Sequence, residues 1–389
     1  MKFTFLILAL LIHLYKGSVI NVIEVCRHGA RAPTSSFPWD TGYWKEGLGE
    51  LTPEGQRQHF LLGAEIRTRY INEPVFINSY NSSRVYVQST DVNRTIMSAE
   101  SQLMGIYPQG PSIQSNMQQK AIPPLNISQS FINQTIEILG TAALPLYYQP
   151  VPVHVVGNNY DSLLLGYSPY VCPYFALISY WVEQSSDYQF RAENYTNHLQ
   201  KQLYSIFNIQ YTFDQAALIC DTLITLKFHG YPWPSGITSE IFSSLYEIYV
   251  YFISFSFEYN GDALASSLFY QQIIQTFDDI ISGTGTITFS LYSAHDITLV
   301  GFLSAIDAWD SLQPPFASSL IYELNEIGQD YFVRIVYNDK NITVGDCPVM
   351  CPYNQFKSLV NEWIIQDVMT ACQLPTSFEK GNSIKALIS

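Results

Sequence analysis

The chain has 389 residues, 47% of them apolar and only 13% charged, which excludes a disordered protein and leaves one large domain or two smaller ones. Its formal charge of −14, from 19 basic and 33 acidic residues, excludes nucleic acid as a partner, because a phosphate backbone needs a basic face. The same acidity suits an acidic compartment and makes any arginine cluster a local positive well.

Lys2 precedes an apolar run from Phe3 to Ile12, and small residues follow at Gly17 and Ser18. This is the layout of a secretory signal peptide, read as residues 1–18, and the run is too short to span a bilayer. Val19 to Val25 reads as a strand, followed at once by Cys26-Arg27-His28-Gly29-Ala30-Arg31-Ala32-Pro33. Two guanidiniums can fork onto the oxygens of one phosphate, and a neutral imidazole between them can attack phosphorus. The plainer reading is a charged turn. Thr52-Pro53 opens a helix to about Tyr70, with proline in its first turn. A strand from Arg84 to Gln88 leads into Ser89-Thr90-Asp91-Val92-Asn93-Arg94-Thr95, where a helix running to Leu103 begins. Its positive end can face an anion, and Arg94 adds a third guanidinium; alone, Arg94 is an exposed first-turn arginine.

Over 126–262 strand patterns become scarce. Helix-compatible segments run from Pro173 to Trp181, Tyr195 to Phe207, Asp214 to Phe228 and Ser239 to Phe257. Residues 126–262 are therefore expected to form a mainly helical cap, inserted into a discontinuous α/β core of 19–125 and 263–389. The most apolar stretch, Leu245 to Phe257, is short and carries Glu247, so no membrane anchor is expected in the mature chain. Ile287 to Tyr292 reads as a strand, Ile297 to Ile306 as a helix, and Leu320 to Leu324 with Tyr331 to Tyr337 as a hairpin-like pair. Between strand and helix lies His295-Asp296. A capping aspartate is the ordinary explanation. Beside a phosphate, His295 can donate to an oxygen and Asp296 can protonate the leaving alkoxide. All three motifs follow strands directly, and ligands of open α/β sheets bind beyond the carboxyl ends of strands.

Six cysteines remain in the mature chain, and some should pair in an oxidising compartment. Cys347 and Cys351 have loose ligand spacing but no following histidine and do not read as a zinc site; no metal or cofactor is expected. Counting alone also allows a Cys26–Cys220 bond. Glycosylation triplets at Asn81, Asn126, Asn133, Asn194 and Asn341 support the secretory route. His59 reads as structural, and His154, His198 and His229 as surface or satisfied core groups.

Taken together, the chain resembles the histidine acid phosphatases, in the branch of the prostatic and lysosomal acid phosphatases. The matching stretches are CRHGARAP at 26–33, LTPEGQRQHFLLGAEIRTRY at 51–70, STDVNRTIMSA at 89–99, PVHVV at 152–156, YSAHDITLVGFLSAID at 292–307 and PPFAS at 314–318. The resemblance implies a phosphoglycerate-mutase-like α/β fold, a mixed sheet flanked by helices. It implies His28 as the nucleophile that forms a phosphohistidine, and Asp296 as the proton donor. Arg27, Arg31, Arg94 and His295 become the phosphate-binding set, with no metal. It implies Cys172–Cys372 and Cys347–Cys351 disulfides, and leaves Cys220, whose partner position near Ser319 is serine, and Cys26 unpaired. The substrate is then a small-molecule or protein phosphomonoester, the setting the secretory pathway, as a secreted or lysosomal protein, and a homodimer one suggested assembly.

Three departures stand out. Asn93 replaces the family's usual aspartate and creates a further triplet, expected to be buried and unglycosylated. Gln88 stands where close relatives carry arginine, and Cys26 where a larger apolar residue is usual. The alternatives are a more selective, phytase-like phosphatase, a secreted non-catalytic phosphate binder, and a phosphomutase, which the secretory address disfavours. The aspartate proton donor and the secretory address lead to an acidic optimum.

Overall fold

The computed structural model describes residues 17–75 and 79–375, so most of the expected signal peptide lies outside the described residues. β1 (Ser18–Arg27) is a central strand, buried from Asn21 onward. Its side chains alternate, so Val22 and Cys26 enter one apolar cluster while Ile23 and Val25 enter another. α1 (Pro53–Tyr70) is opened by Thr52, whose hydroxyl accepts from the Gly55 amide. β2 (Val85–Thr90) runs into α2 (Asn93–Ile106). Residues of α1 and α2 cover the Val22–Cys26 face of the sheet.

α3 (Gln129–Leu139) buries none of its residues. β3 (His154–Val156) then adds an edge strand beside β2, inside the stretch expected to be helical. Three residues are too few for an alternating pattern to show. Five helices follow: α4 (Tyr174–Gln184), α5 (Ser186–Asn194), α6 (Gln200–Phe207), α7 (Phe213–Phe228) and α8 (Ser239–Ser254). They bury a core of their own around Phe175, Leu203, Ile219, Leu223 and Leu245. α9 (Gly261–Ser282) returns to the sheet, followed by β4 (Phe289–Ala294) and α10 (Asp296–Ala305). β5 (Ser319–Ile327) and β6 (Asp330–Tyr337) form a hairpin, bordered by β7 (Lys340–Ile342) and β8 (Cys351–Pro352). α11 (Tyr353–Trp363) and α12 (Val368–Ala371) end the described chain. α9, α10 and α11 cover the Ile23–Val25 face with Phe269, Phe302 and Phe356, and Phe269 stacks on Phe302 at 4.2 Å between centroids.

The strand order is β3-β2-β4-β1-β5-β6-β7. The pairs β3–β2, β2–β4 and β4–β1 are parallel, and pairing from β1 to β5 onward is antiparallel, so this is a mixed sheet with helices on both faces. Register decides where the chemistry lies. Arg27 pairs with Ala294, and Ser293 with Ser89, so the residues after β1, β2 and β4 emerge side by side at one edge.

Cys172 is bonded to Cys372 and Cys347 to Cys351, while Cys26 and Cys220 are buried free thiols. The first bond ties the start of the five-helix layer to the end of the described chain. Asn81, Asn126, Asn133, Asn194 and Asn341 are all exposed. No helix among the described residues is long and apolar enough to cross a membrane.

Candidate active site

The loop after β1 is held by close backbone packing on α1. A Cβ on Gly29 would lie 2.4 Å from the Gly55 carbonyl oxygen, and one on Gly55 would meet the Ala30 carbonyl, so both positions need glycine. The Gly29 amide donates to Ser98 Oγ at 3.0 Å and the Ala30 amide to Gln58 Oε1 at 2.8 Å. The loop is thereby fixed before any ligand arrives. His28 is buried, and its Nδ1 lies 2.8 Å from the Gly29 carbonyl oxygen, an acceptor that assigns the proton to Nδ1 and leaves Nε2 with a lone pair. Burial, then the charges of Arg94, Arg27 and Arg31, hold the imidazole well below its ordinary pKa. It therefore stays neutral in mildly acidic solution.

Arg27 is buried at the end of β1. It donates from Nη1 to the Pro314 carbonyl and lies with Nη2 2.9 Å from Asp296 Oδ2, while Phe316 stacks 4.3 Å from its Cζ. Arg31 meets Asp221 of α7 end-on, Nη1 to Oδ2 at 3.0 Å and Nη2 to Oδ1 at 2.7 Å. Its end-on fork is thus taken, which corrects the picture of two forks facing one phosphate. Arg94, in the first turn of α2, has no ion-pair partner among the described residues. Burial, then repulsion from Arg31, lowers its pKa to about 10, and it remains a cation at any acidic or neutral pH. The Nε atoms of Arg27, Arg31 and Arg94 are all buried without a hydrogen-bond partner. Buried donors of this kind are normally satisfied, so three unpaired donors at one edge suit an anion such as phosphate. The positive N-terminal ends of α2 and α10 lie at the same edge.

His295 and Asp296 follow β4 directly. His295 Nε2 lies 3.0 Å from Thr90 Oγ1, and its ring sits 5.7 Å from that of His28. Burial, then Arg94, lowers its pKa to about 3. Asp296 Oδ2 accepts from Tyr249 at 3.2 Å and from Gln313 Nε2 at 3.1 Å. Burial would raise its carboxyl, but Arg27 and Arg31 outweigh burial and hold it well below the usual carboxylate range. So His28, Arg27, Arg31, Arg94, His295 and Asp296 converge. Sequence reasoning missed Asp221, Tyr249, Gln313 and Phe316. Phe316 lay in a quoted stretch, PPFAS, without a role. The others carry no local signal.

His28, Arg31, Arg94, His295 and Asp296 line a cleft of about 750 Å³. Its outer wall is largely apolar or aromatic, with Leu165, Tyr167, Tyr170, Leu218, Phe252 and Ile253, and no lysine lines it. Asn93, expected to be buried, is exposed and donates to Glu50 Oε1 at 3.0 Å. As the first residue of α2 it turns outward while Arg94 turns inward. Gln88 is buried and turned to Asp161, with Nε2 3.4 Å from Oδ1. His154 and His198 are exposed, and His229 contacts Thr52 Oγ1 at 3.0 Å.

His59 is structural in a specific way. Its Nε2 lies 3.1 Å from the Arg27 carbonyl and its Nδ1 3.1 Å from Gln102 Oε1, while Gln102 Nε2 lies 2.6 Å from Glu24 Oε2. Burial lowers His59 to about 4 and raises Glu24 to about 7. In mildly acidic solution both are then neutral. With the Gln102 amide turned over, a shape-neutral change, Glu24 donates to Gln102, Gln102 to His59, and His59 to the Arg27 carbonyl. The strand end that carries Arg27 and His28 is anchored from beneath by this chain.

Known proteins resemble this chain over most of its length. The family model of the histidine phosphatase superfamily (branch 2) matches residues 18–338. The chain is 30% identical over 375 residues to the lysosomal acid phosphatase of Xenopus laevis, covering 92% of this chain and 79% of that protein. It is 29% identical over 375 residues to the prostatic acid phosphatase of Homo sapiens, covering 92% and 89%. Among solved structures, the phytase of Citrobacter braakii aligns with a TM-score of 0.63 at 13% identity, covering 90% of this chain and 99% of that one. A Hafnia alvei phytase in complex with tartrate aligns with a TM-score of 0.61 at 14% identity, covering 92% and 99%. At such identities the two phytases speak for the fold alone. A family match over most of the length, joined to a buried imidazole among three guanidiniums, means that this chain belongs to branch 2 of the histidine phosphatase superfamily.

Proposed function

We propose that the protein is an acid phosphatase that hydrolyses phosphomonoesters in two steps through His28. The observation that carries this reading is the His28 imidazole, tied at Nδ1 to the Gly29 carbonyl and surrounded by three guanidiniums with partnerless Nε donors. Arg27, Arg31, Arg94 and His295 bind the phosphate. His28 Nε2 attacks phosphorus as the ester P–O bond breaks, and the departing oxygen takes the proton of Asp296. The new imidazolium is stabilised through its Nδ1–H bond to Gly29. Water then attacks the phosphohistidine and gives a proton to the Asp296 carboxylate. The P–N bond breaks with its electron pair returning to Nε2, and inorganic phosphate leaves. The guanidiniums supply the electrostatic stabilisation that phosphoryl transfer needs.

Asp296 must be protonated to donate, yet the ligand-free pocket holds it ionised. A bound phosphate dianion cancels the field of Arg27 and Arg31 and raises the carboxyl. Low pH helps the same step, while His28 remains neutral there. An acidic optimum follows from both. We read the five-helix layer as the cap that shapes the leaving-group end of the cleft. Its apolar wall suits one phosphate on an apolar or aromatic group better than a densely phosphorylated ring. Secretory or lysosomal placement is inferred from the N-terminal sequence and the nature of the relatives.

The test is hydrolysis of p-nitrophenyl phosphate at acidic pH with a chelator present, for wild type and His28→Ala. Turnover that vanishes in the variant supports the reading. No turnover by either protein, with phosphate binding intact, favours a non-catalytic binder.

A further inference from the structure

Asp221 belongs to α7, in the helical layer, and none of the sheet-edge motifs contains it. It is 3% exposed, and its carboxylate makes four hydrogen bonds: two from Arg31, one from the Thr34 amide at 3.2 Å and one from the Thr34 hydroxyl at 3.1 Å. All four donors lie in the segment after β1. Holding Arg31 end-on at both terminal nitrogens leaves its side edge, including the partnerless Nε, for a phosphate oxygen. Asp221 also changes the charge at the phosphate end. Arg27, Arg31 and Arg94 against Asp221 and Asp296 leave a formal charge of +1; without Asp221 it would be +2.

We propose that Asp221 is a positioning residue for the hydrolysis, which aims Arg31 and weakens the hold of the site on inorganic phosphate so that product departs. The proposal rests on the phosphatase reading above. It ties the helical layer to the phosphate end of the site through Arg31. A site one charge more positive would bind the departing phosphate more tightly and release it more slowly, whatever the leaving group had been.

The experiment compares wild type, Asp221→Asn and Asp221→Glu. Phosphate affinity is measured by calorimetry with inorganic phosphate, and kcat and KM with p-nitrophenyl phosphate. Asp221→Asn is expected to bind phosphate about tenfold more tightly, with kcat and KM falling together, because a charge is removed a short distance from a dianion. Asp221→Glu keeps the charge and moves Arg31, so phosphate binding does not tighten while kcat falls. Unchanged phosphate affinity in Asp221→Asn, with only a lower melting temperature, would reduce Asp221 to a structural tie and overturn the proposal. If Asp221→Asn does not fold, Asp221→Glu decides: a lower melting temperature with unchanged kcat overturns the proposal as well. Calorimetry needs no turnover, so an inactive wild type would count against the phosphatase reading and leave the affinity comparison intact.

Discussion

The sheet edge and the helical layer contribute differently to one cleft. The edge supplies all six converging groups: Arg27 at the end of β1, His28 and Arg31 in the loop after it, His295 and Asp296 directly after β4, and Arg94 in the first turn after β2. Five of them are buried and Arg94 is half-buried, and the loop that carries His28 and Arg31 is pinned by backbone contacts such as Gly29 on Gly55. The layer contributes Asp221, Tyr249 and a wall of Leu218, Phe252 and Ile253. In the proposed reading the groups that reach phosphorus sit on the sheet edge, while the layer, with a core of its own, lines the leaving-group end and holds Arg31 through Asp221. The fold likeness to the two phytases says little about substrate.

Substitutions can break or sharpen that contrast. His28→Ala, at the edge, is expected to lower kcat by at least about 10³-fold for every substrate, small or large, since it removes the nucleophile itself. Steady-state kinetics on an alkyl and an aryl phosphate checks this, and a loss confined to one of them would break the division. Arg94→Ala, also at the edge, should lower kcat/KM by roughly 10²-fold for both, as removal of one oxyanion donor does.

Beneath the edge, Glu24→Gln tests the buried anchor through stability. The Glu24 pKa is raised in the fold from 4.5 to about 7, so its stabilising contribution is full below 4.5 and is lost as pH rises to about 7. The depressed His59 works in the opposite sense, losing its contribution as pH falls from 6.5 to about 4. The two slopes oppose one another in the wild type. Relative to wild type, Glu24→Gln should therefore gain on the order of 3 kcal/mol between pH 4 and pH 7. Urea unfolding at the two pH values measures it, and a pH-independent difference would remove Glu24 from the anchor.

In the layer, Phe252→Ala is the mildest. It should raise KM for a naphthyl phosphate by about tenfold and leave a small alkyl phosphate nearly unchanged, the worth of a lost apolar contact. An equal effect on both would place Phe252 in the chemistry and dissolve the contrast.

How much was legible follows the same line. Strands β1, β2 and β4 announce themselves by apolar runs, and α1 by Thr52-Pro53, so the edge and its motifs could be read locally. Element ends were less visible: β1 extends from Ser18 to Arg27 although Val19 to Val25 was the readable part. Asn93 and Arg94 are adjacent, and only the direction of the first helical turn decides that one faces solvent and the other the cleft. Asp221 is 190 positions from Arg31, and Tyr249 is 47 from Asp296. Contacts at such range leave no mark in spacing or periodicity, so the layer's share of the site was hidden in the sequence.

The central claim is that phosphorus passes through His28. It is tested most directly by mixing the enzyme with an aryl phosphate at acidic pH, quenching with alkaline denaturant, and mapping phosphorylated peptides by mass spectrometry. The account predicts a phosphoryl group on His28, carried at higher occupancy in Asp296→Ala, where attack of water is slowed. Sustained turnover with His28 unmodified at every time point, and the phosphoryl group on another residue or on none, would contradict it.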